Sequence, residues 1–329
     1  MNNPSILRRY RDQIEQAIAA SIRGDGALYS ILRYHMGIEG DRAGKASGMG
    51  KLLRPCLVLF TAGELGCNPR QVLPAAVALE LIHNFSLVHD DIQDEDSVRR
   101  GQLAVWKRFG VAQAINAGDL LQALGFGKAL DAGAATASTL TEAVVEMIEG
   151  QELDISFQGR SVGLDSYMKM IDKKTGALIR CAFIMGGQAA GVGGTVLAEL
   201  GELGVELGRA FQIRDDLLGV WGEGERTGKP QGSDILRKKS SLPVAIALEK
   251  AEGEKLRIII DAYARESIGK ADIVEVVAVM DSLGVRDAAE RRLAEHLDRA
   301  RASLERLPFS QNGQEEMREL IEYMAVREQ

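Results

Sequence analysis

The sequence predicts an all-α fold. Proline is scarce, at 7 of 329 residues, and apolar residues recur mostly every three or four positions, whereas a half-buried strand would alternate every two. The length suits one large domain or two smaller ones. Since no internal repeat and no linker rich in Pro, Gly and Ser divides the chain, we predict a single large helical domain over residues 1–329.

The predicted helices at the two ends of the chain are amphipathic. Each has a stripe of apolar residues at helical spacing, with arginine and glutamate on the remaining surface. The stripes are Ile6, Tyr10, Ile14 and Ala17 near the start, and Leu293, Leu297, Ala300 and Leu304 near the end. We expect both helices to pack against more deeply buried elements.

Three segments between these ends are apolar on most sides, as the interior helices of a large bundle are. They run from about Arg70 to Asp96, Leu140 to Gln158 and Thr195 to Trp221. Lys174 and Thr175 interrupt a further helical pattern. The polar, glycine-rich segment from Gly222 to Ser240 carries turn signals throughout, so we predict a loop there.

The composition restricts the function classes. The net charge of −7 disfavours a nucleic-acid partner. Cys56 and Cys181 lie in apolar runs and predict reduced thiols in the core, which favours a cytoplasmic protein. The longest uncharged segment, Cys181 to Ala198, holds five glycines and is barely long enough to cross a bilayer. We therefore expect no membrane span, and the charged N-terminus predicts no secretory signal.

A dense group of acids lies in the run HNFSLVHDDIQDED, which begins at His83. At about 100° per residue, Asp90 and Asp94 lie within roughly 40° of each other on a helix, and His83 falls on the same face. Two carboxylates one turn apart repel each other unless a cation lies between them. Mg²⁺ usually takes one or two carboxylates and completes its shell with water or phosphate oxygens. The pattern predicts a metal-bound phosphorylated ligand; the alternative is a solvated helix end.

A second acidic site lies in the run FQIRDDLLGVW, where Asp215 and Asp216 follow one another on a largely apolar helix. Gly208 and Gly219 share the face of Asp215, and Gln212 lies about 60° away. The glycines leave room for a ligand; the alternative is that they allow two helices to pack closely.

Basic residues close to these acids in the sequence would meet the charge that a metal-bound diphosphate retains. Any one of them is more often a surface charge. The candidates are Lys51 and Arg54 at i and i+3, Arg99 and Arg100 directly after the first acids, Lys174 beside Thr175, and Lys229, Lys238 and Lys239 in the polar segment.

Taken together and in order, these segments resemble the trans-prenyltransferase family, the polyprenyl diphosphate synthases of isoprenoid biosynthesis. The motifs are GKLLRP, DDIQD followed by RRG, AINAGDLL, GQELD, KKTGALI, FQIRDDLLG, and TGKPQGSD leading to KKSSLP, from about Gly50 to Pro243. The resemblance implies an isoprenoid-synthase bundle around a deep central cavity, with the two aspartate-rich segments facing each other across its mouth. It also implies a homodimer.

The resemblance further implies the reaction and the residues that carry it. Isopentenyl diphosphate is joined head-to-tail to an allylic diphosphate, whose C–O bond ionises with the help of three Mg²⁺ ions. The metal ligands would be Asp90, Asp94 and Asp215. The allylic diphosphate would meet Arg99, Lys174, Lys229, Lys239 and Gln151, and isopentenyl diphosphate would meet Lys51, Arg54, His83 and Arg100. Thr175, Gln212 and Lys174 would steady the developing cation, and Asp154 would lie near metal-bound water.

Two segments depart from the family pattern. Gly219 stands where the second motif usually has a third aspartate, and the residues after Gly101, Gln102 to Trp106, replace the usual proline and its neighbours. We expect the first change to leave activity intact, because Asp215 is the position expected to touch metal. The sequence does not indicate the effect of the second.

Product length depends on where a bulky side chain stops the growing chain. Phe85 lies five residues before Asp90 and Ser86 lies four before it, an arrangement that resembles geranylgeranyl diphosphate synthases. On a helical wheel, however, Phe85 lies about 140° from Asp90, so an ordinary core position is the alternative. Farnesyl or longer products also stay open.

Other function classes compete with this hypothesis. A terpene cyclase shares the helical bundle and one aspartate-rich motif, but needs no second diphosphate pocket such as Lys51, Arg54 and Arg100 would form. A catalytically silent partner subunit would bind prenyl diphosphates without turnover. A plain helical scaffold would explain the amphipathic ends but not the ordered acids and cations.

Overall fold

The computed structural model describes residues 3–40, 48–222 and 231–326. These residues are almost entirely helical, which confirms the all-α prediction. The α-helices are α1 (Ser5–Arg9), α2 (Arg11–Ser21), α3 (Ala27–Met36), α4 (Leu53–Glu64), α5 (Pro69–Gln93), α6 (Val105–Phe109), α7 (Val111–Ala132), α8 (Ala134–Phe157), α9 (Leu164–Ile171), α10 (Ala177–Ala189), α11 (Gly194–Trp221), α12 (Ser233–Leu236), α13 (Leu242–Lys250), α14 (Gly253–Ala264), α15 (Lys270–Ser282), α16 (Val285–Glu305) and α17 (Gln311–Val326).

Three short elements within the described ranges are not α-helical. Strands β1 (Val98–Arg99) and β2 (Gln102–Leu103) form an antiparallel hairpin. Its two-residue turn has φ values of 52° at Arg100 and 77° at Gly101, the positive values that tight hairpin turns require. Asp172–Gly176 forms a π-helical turn between α9 and α10, where the sequence predicts an interrupted helix.

Backbone contacts group the chain into two compact units. The first unit comprises Met1–Val144, Cys181–Ala198 and Pro308–Glu316, and the second comprises Val145–Arg180, Glu199–Leu307 and Met317–Gln329. The single domain expected from the sequence stays a prediction.

The first unit is built on α5, which packs against α4 and α7. Asn68 caps α5 by accepting a hydrogen bond from the backbone N–H of Arg70 at 3.0 Å, and Pro69 occupies the first helical turn, where its missing N–H costs nothing. Small residues of α7 bring the two helices together: a Cβ on Gly125 would lie 3.0 Å from the side chain of Ile82. This close packing fixes the direction in which the acidic end of α5 points.

The second unit is built on α11. Its buried side chains include Leu203, Leu207 and Ile213. The C-terminal stripe predicted from the sequence lies on α16, and all four of its apolar residues are buried.

The helical segments predicted to lie in the interior correspond to α5, α8 and α11, within a few residues at most ends. Two details differ from expectation. The N-terminal stripe is divided at Tyr10, which ends α1 and precedes α2, and the segment predicted as a loop contains the short helix α12. Part of that predicted loop, residues 223–230, lies outside the described residues.

Cys56 and Cys181 are buried free thiols, as the sequence predicts. Among the described residues, one helix, α5, is long and apolar enough to cross a membrane by length and composition. The most apolar 18-residue stretch of α5 is 67% buried within the protein, as is usual for a core helix.

Candidate functional site

The acids at the end of α5 divide into two kinds. The N–H of Asp94 donates to the carbonyl of Asp90 at 2.8 Å, so these two residues lie one turn apart, and both are partly exposed. Asp91, between them, is 1% exposed and accepts a hydrogen bond from Nε of Arg99 at 2.8 Å. Burial raises the pKa of Asp91, although Arg99 opposes the shift. Asp91 therefore holds Arg99, and of the four aspartates in this run Asp90 and Asp94 are the two that stay accessible to a cation, since Asp96 is also buried.

The segment after Gly101, whose effect the sequence left open, holds the hairpin in place. Nε2 of Gln102 donates to the carbonyl of Tyr34 at 3.0 Å, and the Tyr34 hydroxyl donates to the carbonyl of Leu103 at 2.8 Å. Nε1 of Trp106 donates to the carbonyl of Asp96 at 2.8 Å. These bonds fix the turn that carries Arg100.

Three of the predicted isopentenyl diphosphate residues come together in the first unit. Nη1 of Arg54 donates to Nε2 of His83 at 3.1 Å. A Cβ on Gly50 would lie 3.0 Å from the guanidinium carbon of Arg100, so glycine at this position lets Arg100 approach the backbone. Burial, and then the charges of Arg54 and Arg100, hold the pKa of His83 well below its usual range. His83 is therefore neutral here, while the two arginines supply positive charge.

Sequence reasoning missed a buried carboxylate beside these cations. Glu80, on α5, is 2% exposed and accepts a hydrogen bond from Nδ2 of Asn84 at 2.8 Å. Burial raises its pKa, and the charges of Arg100 and Arg54 oppose this. The signal in the sequence was an isolated acid within an apolar helix, a position acids rarely occupy without a partner.

In the second unit, Lys174 of the π-helical turn pairs with Asp154 of α8. Nζ of Lys174 lies 2.5 Å from Oδ2 of Asp154. The two backbones approach each other closely at Gly150. A Cβ on this residue would lie only 2.6 Å from the Cα of Lys174. The GQELD and KKTGALI motifs thus contact each other. Gly150 is needed because a side chain would not fit there, and Asp154 is needed because it pairs with the Lys174 ammonium.

The next residue of the turn begins a chain of hydrogen bonds on α11. The hydroxyl of Thr175 donates to Oε1 of Gln212 at 2.7 Å, and Nε2 of Gln212 donates to Oδ1 of Asp216 at 2.9 Å. Oδ2 of Asp216 accepts from the Tyr167 hydroxyl and from the N–H of Leu242, both at 2.7 Å. Gln212 is thereby fixed with its oxygen toward Thr175.

The adjacent aspartates of this motif have opposite environments. Asp215 is exposed, whereas Asp216 is buried, and burial together with the charge of Asp234 raises the pKa of Asp216 to about 7. Asp234 also lies against Gly219, where a Cβ would collide with its carboxylate. The space left by the missing third aspartate is therefore next to another carboxylate.

Three more of the predicted diphosphate ligands lie on α8, after α12 and before α4. Gln151 lies on α8, partly exposed, and Lys239 follows α12, where its N–H donates to the carbonyl of Asp234 at 2.9 Å. Lys51 precedes α4 and is partly exposed. Lys229 lies outside the described residues.

Comparison with known proteins identifies the family. A family model described as polyprenyl synthetase matches residues 45–280. The chain belongs to the polyprenyl synthetase family. This confirms the resemblance inferred from the motifs, and it makes the protein a prenyl diphosphate synthase, a transferase.

Polyprenyl synthetases similar to this chain differ in their products. A (2E,6E)-farnesyl diphosphate synthase of Mycobacterium tuberculosis is 33% identical over 315 residues, 93% of this chain and 88% of its own. A geranylfarnesyl diphosphate synthase of Aeropyrum pernix is 36% identical over 89% of this chain and 96% of its own. The crystal structure of a geranylgeranyl pyrophosphate synthetase of Pyrococcus horikoshii has a TM-score of 0.86 at 32% identity, covering 98% of each chain.

Polyprenyl synthetases in general depend on a divalent metal. Within the described part of this chain, no three His, Cys, Asp or Glu residues converge as a metal-binding group. The accessible candidates in each unit are carboxylates: Asp90 and Asp94 in the first unit, and Asp215 in the second. An all-oxygen donor set with few protein ligands fits Mg²⁺, which keeps much of its shell for water and phosphate. The residues present therefore fit this ion.

The candidate chain-length residues lie on α5. Phe85 is 6% exposed and its ring meets that of His89 edge to face, with centroids 5.0 Å apart. His89 in turn lies against Gly118 of α7, where a Cβ would collide with its ring. Ser86 donates to the carbonyl of His83 at 2.8 Å. Phe85 is thus a buried side chain in ring contact with a neighbouring histidine.

Proposed function

We propose that this polyprenyl synthetase condenses isopentenyl diphosphate head-to-tail with an allylic diphosphate and makes geranylgeranyl diphosphate. One observation carries the proposal: the first unit holds a cationic cluster in addition to the carboxylates Asp90 and Asp94. In this cluster Arg54 bonds to His83, and the Arg100 guanidinium lies against Gly50. A synthase needs such a cluster for its second diphosphate. A terpene cyclase does not.

The cationic cluster is suited to isopentenyl diphosphate. Arg54 and Arg100 present guanidinium groups, which match phosphate oxygens in geometry and keep their charge at any working pH. His83 is neutral and accepts from Arg54, so it orients that side chain and adds no charge to be desolvated. Lys51 adds a further cation in the same GKLLRP segment.

We assign the accessible carboxylates to Mg²⁺ and a second set of side chains, four cations and one glutamine, to the allylic diphosphate. We assign Mg²⁺ binding to Asp90 and Asp94 in the first unit and to Asp215 in the second, with three ions expected from the family resemblance. Bound Mg²⁺ neutralises the diphosphate and makes it a better leaving group. The allylic diphosphate is assigned to Arg99, Lys174, Gln151, Lys229 and Lys239. Asp91 and Asp154 hold Arg99 and Lys174 in defined positions.

The oxygens near the π-helical turn are suited to stabilising the developing allylic cation. The hydroxyl oxygen of Thr175 and the amide oxygen of Gln212 carry partial negative charge, and the bond between them fixes both. Lys174 belongs to the same turn, where its charge faces Asp154. Fixed dipoles stabilise charge that develops during a reaction because they need no rearrangement at that moment.

The product assignment is supported by Phe85, and the relatives set the range of alternatives. The relatives include farnesyl, geranylfarnesyl and geranylgeranyl diphosphate synthases, so products shorter or longer than geranylgeranyl diphosphate are the alternatives. A packed phenylalanine five residues before Asp90 is the feature that favours geranylgeranyl diphosphate. We further propose a homodimer without a membrane span in the cytoplasm, where the buried thiols would stay reduced.

The test is a product analysis. The purified protein is incubated with Mg²⁺, isopentenyl diphosphate and each of the three short allylic diphosphates, and the products are separated by chromatography. We expect geranylgeranyl diphosphate, and a loss on the order of 100-fold or more in Asp90→Ala or Asp94→Ala. Glu95→Gln, at an exposed position in the same acidic run, is the matched control.

Three other outcomes would reject parts of the proposal. Unchanged turnover in Asp90→Ala would exclude its metal role. A hydrocarbon formed from geranylgeranyl diphosphate alone would indicate a cyclase. Mg²⁺-dependent binding of the diphosphates without any turnover would indicate a silent partner subunit.

A further inference from the structure

A chain of ion pairs in the second unit ends at Asp172, the first residue of the π-helical turn. Nε and Nη2 of Arg209, on α11, donate to Oδ1 and Oδ2 of Asp172 at 2.7 and 2.8 Å. This is the two-pronged geometry that arginine forms with a carboxylate and that lysine cannot reproduce.

Arg209 is itself held from its other side. Its Nη1 donates to Oε1 of Glu206 at 2.9 Å, and Oε2 of Glu206 lies 2.6 Å from Nδ1 of His296 and 3.0 Å from Nε of Arg299. Burial alone would raise the pKa of Glu206, but the bonds from His296 and Arg299 outweigh it and lower the pKa. Glu206 is therefore an ionised, 5% exposed anchor for the guanidinium.

The π-helical turn depends on such anchors. A π turn is a rare departure from the α-helix and is found mostly at functional sites. The turn meets α11 at three points: Asp172 bonds to Arg209, Thr175 bonds to Gln212, and Gly176 lies so close that a Cβ on Gly208 would be 2.7 Å from its Cα. Lys174 lies between the first and second of these points.

We propose that Arg209 is a positioning residue that fixes the π-helical turn and so sets the position of Lys174 for the allylic diphosphate and of Thr175 for the allylic cation that forms from it. The proposal rests on the function proposed above, because those two residues matter only if an allylic diphosphate binds there. It adds a residue that touches no substrate and acts through Asp172.

The test separates the two substrates. We expect Arg209→Leu to lower kcat by about 10-fold or more and to raise the KM for the allylic diphosphate, since a displacement of about 1 Å at a reacting centre costs on the order of 100-fold. The KM for isopentenyl diphosphate should not change, because its assigned residues lie in the first unit. A merely structural defect would reduce the active fraction and leave both KM values as they are.

Further variants exclude trivial explanations. Arg209→Lys should recover only part of the loss, and added guanidinium ion should partly restore Arg209→Ala. Arg209→Leu combined with Asp172→Asn should be no worse than Arg209→Leu alone, because both remove one interaction. Arg306→Leu, which breaks an exposed pair with Glu199, is the control and should behave as wild type.

The outcomes distinguish the two proposals. No turnover by the wild-type protein would overturn the proposed function and this inference with it. An active wild type with unchanged kcat and allylic KM in Arg209→Leu would overturn the inference alone. If circular dichroism shows that Arg209→Leu does not fold, Asp172→Asn is judged by the same criteria.

Discussion

Asp154 lies 2.5 Å from Lys174 and joins α8 to the π-helical turn. The carboxylate is buried, while the lysine side chain is 21% exposed, so a buried group holds a side chain that is not itself fully enclosed. A flexible lysine would otherwise lose rotamer entropy on meeting a ligand. The pair pre-organises a cation that we assign to diphosphate binding.

Removing this carboxylate should impair catalysis. We expect Asp154→Asn to lower kcat by on the order of 100-fold, since the ammonium loses its fixed position. Steady-state kinetics with saturating Mg²⁺ measures this change in kcat. Glu149→Gln is the matched control, because Glu149 pairs with the neighbouring Lys173 in a more exposed position and should retain activity. Equal activity in the two variants would contradict the prediction.

Gly150 should tolerate no side chain. Gly150→Ala places a Cβ against the backbone of Lys174, which cannot move aside as a side-chain tip can. We expect a loss of about 1–3 kcal/mol in the free energy of unfolding. Gly127→Ala, in α7 with nothing within 4 Å of its Cβ, should instead gain about 0.5–1 kcal/mol. Urea denaturation compares them, and similar effects would argue against the close backbone approach.

His83 should make the stability depend on pH. The pKa of His83 is lowered in the folded protein. Below about pH 6.5 this histidine therefore binds a proton in the unfolded chain but stays neutral in the folded protein. The stability it contributes is present above that pH and is lost as the pH falls, with a slope of at most about 1.4 kcal/mol per pH unit. Urea denaturation at about pH 7.5 and 5.5 should show a steeper loss in wild type than in His83→Gln. Parallel curves would contradict this.

The three cysteines should differ in reactivity. Burial raises the pKa of the Cys56 thiol, and both Cys56 and Cys181 are buried, whereas Cys67 is partly exposed. A thiol reagent should modify one cysteine rapidly in the native protein and three after denaturation. Cys67→Ser should abolish the rapid phase. Rapid modification of Cys56 in the native protein would contradict its burial.

Phe85 should limit product length. Replacing Phe85 by Ala removes the ring that packs on His89, and we expect longer prenyl chains by product chromatography. An aromatic residue in place of Ser86 should give the farnesyl product. Phe60→Leu is a control, because Phe60 is fully buried against Phe309 and should affect stability without affecting length. An unchanged product in Phe85→Ala would make Phe85 an ordinary core residue.

Periodicity and motif order predicted much of this protein. The helical class, the interior helices around Arg70 to Asp96 and Thr195 to Trp221, and the interruption at Lys174 all follow from local patterns. So does the family, because its motifs occur in a fixed order. These features depend on residues close together in the chain, where spacing alone decides which face a side chain shares.

Contacts between distant residues decided the rest. The sequence places Asp90 and Asp94 on one helix face but gives Asp91 no role, and only folding buries Asp91 against Arg99. It shows Asp215 beside Asp216, but the hydroxyl of Tyr167 and the N–H of Leu242, far away in the chain, turn Asp216 inward. Neither Glu80 nor Arg209 belongs to a motif. The burial of these charged side chains and the choice of their partners arise when separate helices pack, so no local pattern encodes them.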